Sequence, residues 1–395
     1  MLRDKLYAQL EEMYDEMVGW RRHLHQYPEL SFMEKATPVF IADKLRSYGY
    51  EVREHVGGNG VVAKISGGKT SGITVALRAD MDALPIQDLK SCEYASTVPG
   101  VMHACGHDGH TSSLLAIAKV LADQKEQLPG NFVLIFQHAE EISPGGANPM
   151  IQDGVLDGVD AIYGVHLWSL LPYGTISSRS GAIMAASDEF KIEVNGKGGH
   201  GGLPHQTVDA VVVSSHIVVN LQSIVSRNVD PTESCVISVG TINGGTGFNV
   251  IAESTSMIGT VRTFHPDVLE LVSTRMEEVI AGTCKMFHAD YRFEYNRGYP
   301  PVINHAGEAE RFKRVGQQVV DQAQVLESPQ MMAGEDFAYY LQQVPGCFMF
   351  VGAGNEEQGI VYPHHHPRFD FDERAMLNGA KLLLAMALDR MQVIA

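Results

Sequence analysis

The 395-residue chain is short of cysteine, of positive charge and of long apolar runs. Its five cysteines, Cys92, Cys105, Cys235, Cys284 and Cys347, are odd in number and scattered. They form no disulfide framework, so a reducing, cytoplasmic compartment is expected. Lys and Arg total 30 against 47 Asp and Glu, a net charge of −17. That balance argues against a sequence-independent grip on nucleic acid or an anionic membrane surface. An anionic substrate would need local positive charge against this background. No apolar run approaches the roughly 20 residues of a membrane span. The charged segment from Arg3 to Lys5 lacks the apolar core of a signal peptide. No internal repeat or low-complexity segment is present.

Hydrophobic residues make up 45% of the chain and charged residues 19%, the composition of a globular protein with apolar residues enough for two domains. The densest chemistry lies in residues 101–110, where Cys105 stands among His103, His107 and His110. Cys105 and His107 are one glycine apart, and an apolar helical run starts at Leu114. A thiolate and an imidazole on a loop entering a helix suit a soft or borderline divalent metal. The plainer alternative is a free cysteine beside helix-capping polar residues.

Leu6, Leu10, Met13, Met17, Trp20 and Leu24 form one stripe of an amphipathic helix ended by Pro28. A second helix is expected over 38–48, closed by Gly49. Strands are expected at 61–65, 73–77, 131–138 and 161–167, with a helix over 111–123. Gly67-Gly68-Lys69-Thr70 is rejected as a phosphate loop, because Ala63 occupies the required first glycine and a strand follows. Strands alternating with helices, with polar groups at strand ends, describe an α/β sheet with its site at the carboxyl edge.

The pattern changes near residue 184. Strands at 187–195, 235–242, 254–262 and 291–295 and helices at 208–225 and 268–286 follow a β-α-β-β-α-β order, that of a ferredoxin-like α+β unit. The α/β pattern then resumes, with a helix at 309–322, a strand at 347–351 and a last helix from 373. The expected domains are therefore a discontinuous catalytic one, 1–184 and 298–395, and an inserted one, 185–297.

Four groups of candidate ligands fall at loop or strand ends of the first domain: Cys105 with His107, Glu140 with Glu141, His166, and the run His364-His365-His366. A pair of metals sharing one bridging group needs about that many. Two glutamates ending a buried strand are costly without a cation. Neighbours on an extended chain point opposite ways, so one can hold metal while the other faces a water. Taken singly, the pair could be surface charge, His166 a core histidine and the histidine run a surface tract.

The segments 21–30, 78–85 and 102–110, the Ala139-Glu140-Glu141 step, Gly198–Gly201 and 365–369 together resemble the aminoacylase/carboxypeptidase family of dinuclear metallohydrolases. Within it the chain is most similar to the N-acyl-amino-acid amidohydrolases, which include hippurate hydrolases and plant auxin-conjugate hydrolases. The likeness runs nearly end to end. It implies two divalent metals, an α/β catalytic domain on a mixed sheet, and an inserted lid that also forms a homodimer. It makes Cys105, His107, Glu141, His166 and His365 the ligands, with Cys105 the bridge, and His365 is chosen by the pattern His-x-Pro-x-Phe. Glu140 becomes the general base, and Asp80 is expected to orient a ligand or a bound water. His200 matches a lid histidine that reaches across the dimer to the oxyanion, and Asn249 and Arg262 match residues holding the substrate's carboxylate. Two departures are visible: His138 replaces the usual proline, and Gly201-Gly202 replaces small alanines.

Two cations can lower a water's pKa from ~16 toward ~7, and Glu140 can carry the proton to the leaving amine. The substrate implied is an N-acyl amino acid. A dipeptidase or N-acetyl-diaminopimelate deacetylase would use the same centre. A purely structural metal site would not need a spare carboxylate such as Glu140. The donor set leans toward zinc through its cysteine and also admits manganese, cobalt or nickel.

Overall fold

A computed structural model describes residues 2–69, 72–321 and 324–392. Contacts divide the chain into a larger unit, Met1–Ile183 with Val302–Pro329 and Asp336–Ala395, and a smaller one, Met184–Pro301 with Gln330–Glu335.

The larger unit is built on an eight-stranded mixed sheet. Its order is Glu51–Val56, Gly60–Ile65, Asn131–Gln137, Thr74–Asp80, Ala161–Pro172, Gly346–Gly354, Ile176–Ser178 and Val325–Glu327. Thr74–Asp80 runs parallel to both its neighbours, and Gly346–Gly354 runs parallel to Ala161–Pro172. Their carboxyl ends therefore share one edge. These central strands are buried almost throughout, which is why they read as continuous apolar runs rather than alternating ones. The helix His107–Asp123 is buried along most of its length, and in its apolar second half Leu114, Leu115, Ile117, Val120 and Leu121 are fully buried. Truncating one of these leucines to alanine should cost about 2–5 kcal/mol.

Several sequence expectations shift. The stripe over residues 6–24 belongs to two helices, Leu2–Glu12 and Tyr14–Gln26, broken at Met13, although Leu6, Leu10, Met17, Trp20 and Leu24 are all buried. The helix expected over 309–322 runs Ala306–Gly316, and Gln322 lies outside the described residues. Gly67 and Gly68 lie between two strands, with Thr70 outside the described residues.

In the smaller unit a four-stranded antiparallel sheet runs Cys235–Gly244, Ser254–Thr263, Ser187–Asn195, Asp290–Tyr299. Phe190, Ile192, Val194, Met257 and Val261 point to one face and pack against the helices Ala210–Arg227 and Pro266–Phe287. The period of two along Ser187–Asn195 makes that face apolar. Asp209 caps the first helix by accepting from Val211 and Val212 N–H. Among the described residues this helix alone is long and apolar enough, by length and composition, to cross a membrane. Its buried residues Val213, Ile217, Leu221 and Ile224 recur at helical spacing and lie against the sheet. Met184–Pro301 is joined by Gln330–Glu335 because Ala185 N–H donates to the carbonyls of Met331 and Ala333.

Candidate metal centre

The candidate ligands arrive from several elements of the larger unit. Strand Thr74–Asp80 delivers Asp80 and, just beyond it, Asp82. Strand Asn131–Gln137 leads into Glu140 and Glu141, and strand Ala161–Pro172 carries His166. Cys105 and His107 flank Gly106, whose φ of 95° lies in the left-handed region. A side chain there would be strained, so the glycine is what lets the chain reverse between thiol and imidazole as the helix starts.

Donor atoms of Cys105, His107 and Glu141 lie within 4.8 Å of one another, and so do those of Cys105, His166 and His364. Cys105 belongs to both groups, as a bridging ligand must. Its Sγ is 3.4 Å from His166 Nε2. His107 Nε2 lies 3.7 Å from Glu141 Oε1 and 3.9 Å from Glu140 Oε2. Both glutamates therefore face the same nitrogen. The alternation expected of an extended chain does not hold here, because the strand ends at Gln137 and Ala139 takes a φ of 51°.

His365 reaches Glu141, with Nε2 3.4 Å from Oε2, while its side chain stays about half exposed. His364 stands nearer Cys105 and His166, but its Nε2 accepts Ser169 N–H at 3.2 Å. Its remaining ring proton is then on Nδ1, and burial pushes its pKa down to about 3. A neutral ring with one lone pair already engaged has none left for a metal. His365 is the one whose Nε2 faces Glu141.

The residues fit a pair of divalent cations. The buried atoms His107 Nε2 and Glu141 Oε1 have no hydrogen-bond partner, a costly arrangement unless a cation sits between them. His107 turns Nδ1 to the Asp82 carbonyl at 3.0 Å and to Asp82 Oδ1 at 3.2 Å. His166 turns Nδ1 to Leu167 O at 2.9 Å. Both rings thus keep a proton on Nδ1 and direct Nε2 into the centre. Burial, then Glu141, Glu140 and Asp80, hold the Cys105 thiol well above its ordinary pKa. Burial opposes a charge on His107, yet Asp80, Asp82 and Glu141 outweigh it and raise its pKa to about 10. The cluster is one that attracts positive charge.

Asp80, expected to orient a ligand, accepts from His110 Nδ1 at 2.6 Å and Arg78 Nη1 at 2.6 Å. The residue that orients His107 is Asp82. Asp82 Oδ2 also accepts from Ser31 Oγ at 2.6 Å and Glu141 N–H at 3.0 Å. Arg78 is shared with Gln137 and with Asp336, whose buried carboxyl titrates higher than usual, at about 6. Burial is the main cause. Behind His107, fully buried Arg21 pairs with Asp108 at 2.9 Å and Asp370 at 2.7 Å, and His25 Nδ1 meets Asp108 at 2.7 Å. None of Asp82, Arg78, His110, Asp336, Arg21 or His25 was assigned a role from sequence. Their signal was an unusual density of charge inside otherwise apolar segments. His138 is buried, 6.0 Å ring to ring from Phe32.

In the smaller unit His200 and Asn249 are exposed neighbours. His200 pairs with Val250 across two short strands, and Gly201 N–H donates to Asn249 O at 2.7 Å. His200 Nδ1 accepts Gly202 N–H at 3.0 Å, which leaves its proton on Nε2. Arg262 is at the far end of strand Ser254–Thr263, where it faces Val236 and turns Nη1 to Val261 O at 3.1 Å. From Ser254 to Arg262 is eight steps of about 3.3 Å, roughly 26 Å. Asn249 lies outside that strand, just before the separate short strand Val250–Ile251.

A mixed α/β sheet whose carboxyl edge gathers a thiol, imidazoles and paired glutamates defines a metallohydrolase. Residues 76–389 match the family described as Peptidase family M20/M25/M40. The chain belongs to that family. It is 52% identical over 387 residues, 98% of each chain, to YhaA of Bacillus subtilis, a protein named as an amidohydrolase. It is 46% identical over 305 residues to the N-acyl-L-amino acid amidohydrolase of Geobacillus stearothermophilus, covering 77% of this chain and 82% of that one. Its fold is similar to the crystal structure of the Bacillus subtilis YXEP protein, described as a dinuclear metal-binding peptidase of the M20 family. That match has a TM-score of 0.84 at 32% identity and covers 97% and 99% of the two chains.

Proposed function

We propose that the chain is a metal-dependent amidohydrolase that cleaves N-acyl-L-amino acids to a carboxylic acid and a free amino acid. One observation carries the reading: Glu141 joins Cys105 and His107 in a ligand group, while Glu140 stands 3.9 Å from His107 outside that group. A closed structural site needs no such second carboxylate.

Cys105, His107, Glu141, His166 and His365 would hold two divalent ions, with zinc or manganese preferred and cobalt or nickel admitted by the same donors. Such ions, when bound, acidify a water and offset negative charge on the substrate's carbonyl oxygen. Glu140 takes the proton from the attacking water and returns it to the leaving amine. Asp82 and Leu167 O keep the His107 and His166 rings fixed while this happens. His200, with Nε2–H free to donate, stabilises the oxyanion. Arg262 meets the substrate's carboxylate with its guanidinium fork. The smaller unit is a lid and a dimer surface. His200 with its neighbour Asn249 is assigned to one substrate molecule of the dimer, and Arg262, on the separate strand Ser254–Thr263, to the other.

The test is a panel of acetyl-, benzoyl- and indoleacetyl-amino acids, beside dipeptides and N-acetyl-diaminopimelate, with metal analysis of the purified protein. Hydrolysis of the acyl amino acids, lost on chelation and restored by a divalent ion, is expected. Turnover of dipeptides alone would favour a peptidase, the class to which the YXEP protein is ascribed. Hydrolysis indifferent to chelation would sink the metal assignment.

A further inference from the structure

Three buried carboxylates each accept one backbone N–H from the stretch 139–147, which carries the two glutamates and runs into the helix Ala147–Gln152. Glu34 Oε1 accepts from Ala139 at 2.9 Å, Asp82 Oδ2 from Glu141 at 3.0 Å, and Asp336 Oδ2 from Ala147 at 3.0 Å. Ala139 is fully buried and holds a φ of 51°, a conformation that residues other than glycine seldom adopt. Its carbonyl is also engaged, accepting Gly146 N–H at 3.1 Å. A sparsely populated backbone conformation persists only where its surroundings over-determine it, and such sites cluster where function needs them. Here the consequence is visible: the chain bends at Ala139, and Glu140 and Glu141 converge on His107 Nε2 at 3.9 and 3.7 Å.

Glu34 is itself locked. It is 1% exposed, and its second oxygen, Oε2, accepts from Asn59 Nδ2 at 2.9 Å. Three residues earlier Ser31 donates to Asp82. One short segment, 31–34, therefore supports two of the three clamps. Phe32, between them, also has a positive φ, 64°. Without Glu34 the Ala139 N–H would be a buried donor with no acceptor from this segment, and the left-handed bend would lose its brace.

We infer that Glu34 is a positioning residue: by holding Ala139 in its left-handed conformation it aims Glu140 and Glu141 at one point beside His107. The inference rests on the reading of Glu140 as base and Glu141 as metal ligand.

Four variants test it. Glu34→Ala should lower kcat by about 10- to 100-fold with KM nearly unchanged, and weaken cobalt or zinc affinity about 10-fold, measured by direct titration. Adding Ala139→Gly should recover most of both losses, since glycine takes a positive φ without a brace. Glu34→Gln keeps an oxygen for Ala139 but sets its amide against the Asn59 amide. It should lose less than the alanine variant, and Asn59→Asp should restore it by reversing both polarities. A lower Tm with kcat and metal affinity unchanged in the folded protein would overturn the inference, as would failure of both second-site changes to rescue. Failure of the underlying reading looks different. If Glu140→Gln leaves turnover intact, the base assignment is wrong, while the effect of Glu34→Ala on metal affinity still reports the clamp.

Discussion

In the larger unit, the residues proposed to hold metal are braced from behind. Asp82 grips His107 and the Glu141 backbone, Leu167 O holds His166, and Arg21 with His25 fixes Asp108 beside His107. In the smaller unit, His200 and Asn249 lie exposed on two neighbouring segments, and Arg262 turns its guanidinium back toward its own strand. Burial explains the contrast. A charge in low dielectric is costly unless every partner is supplied, so such a site is built to one geometry. Exposed groups bear no such penalty and stay free to meet a substrate. On the proposed reading, the braced region presets metals and base, and the loose one receives the substrate.

The largest effect should come from the braced side. Glu140→Gln should reduce turnover by roughly 10²- to 10⁴-fold with metal content kept, because an amide cannot shuttle a proton. Glu141→Gln should instead lose metal. Swapped phenotypes, read by metal analysis beside kcat, would exchange the two roles. Cys105→Ala should lose both activity and bound metal, since the thiol is common to both ligand groups; full metal occupancy in that variant would remove it from the bridge.

On the loose side, His200→Ala and Asn249→Ala proteins should each regain activity when mixed with Glu140→Gln protein under subunit exchange. Arg262→Ala mixed with Glu140→Gln should not. Recovery in all three mixtures, or in none, would break the proposed division of the small unit into two ends. A smaller effect is expected for Arg262→Ala alone. A charge-assisted hydrogen bond contributes about 1.5–3 kcal/mol, so kcat/KM should fall about 10- to 150-fold on N-acetyl-methionine. On N-acetyl-methioninamide, with no carboxylate to hold, the loss should nearly vanish. Equal losses on both would make Arg262 a structural residue.

The smallest effect concerns a brace and acid. Burial works against a charge on Asp88, but the contact with His25 Nε2 at 3.3 Å and the hydrogen bonds it accepts from Ser96 N–H and Lys90 N–H lower its pKa to about 2. A depressed folded pKa stabilises above the unfolded value near 4 and is lost as pH falls through about 2. The contribution is up to roughly 2 kcal/mol. Trp20 and Trp168, the chain's two tryptophans, both lie in the larger unit, so their fluorescence follows its acid unfolding. Asp88→Asn should be less stable at neutral pH and lose less between pH 4 and 2. An identical acid profile would mean that Asp88 is not a brace.

Much of the centre was legible in the sequence because its signals are short. Cys105-Gly106-His107 and the Glu140-Glu141 pair place ligand types a residue or two apart, and the chain's own geometry keeps them together. Apolar periodicity likewise marked the helix over 111–123 and the central strands. The supporting groups were not legible. Asp80 and Asp82 are two residues apart and chemically identical, and only the packing shows that Asp82 takes His107 while Asp80 takes His110 and Arg78. His364 and His365 were separable by family pattern alone, until Ser169 N–H was seen to engage one of them.

By itself, the sequence determined the class of chemistry, through residue types at fixed short spacings, and the alternation of elements that makes an α/β sheet. Tertiary structure decided everything that depends on distant partners. Arg78 meets Asp336 258 residues away, and Arg21 meets Asp370 349 residues away. It also bent Ala139 so that two neighbouring carboxylates converge instead of alternating. Local sequence constrains φ and ψ and the first few neighbours along the chain. Which buried charge meets which is settled only when the whole core closes around them and brings distant partners within reach.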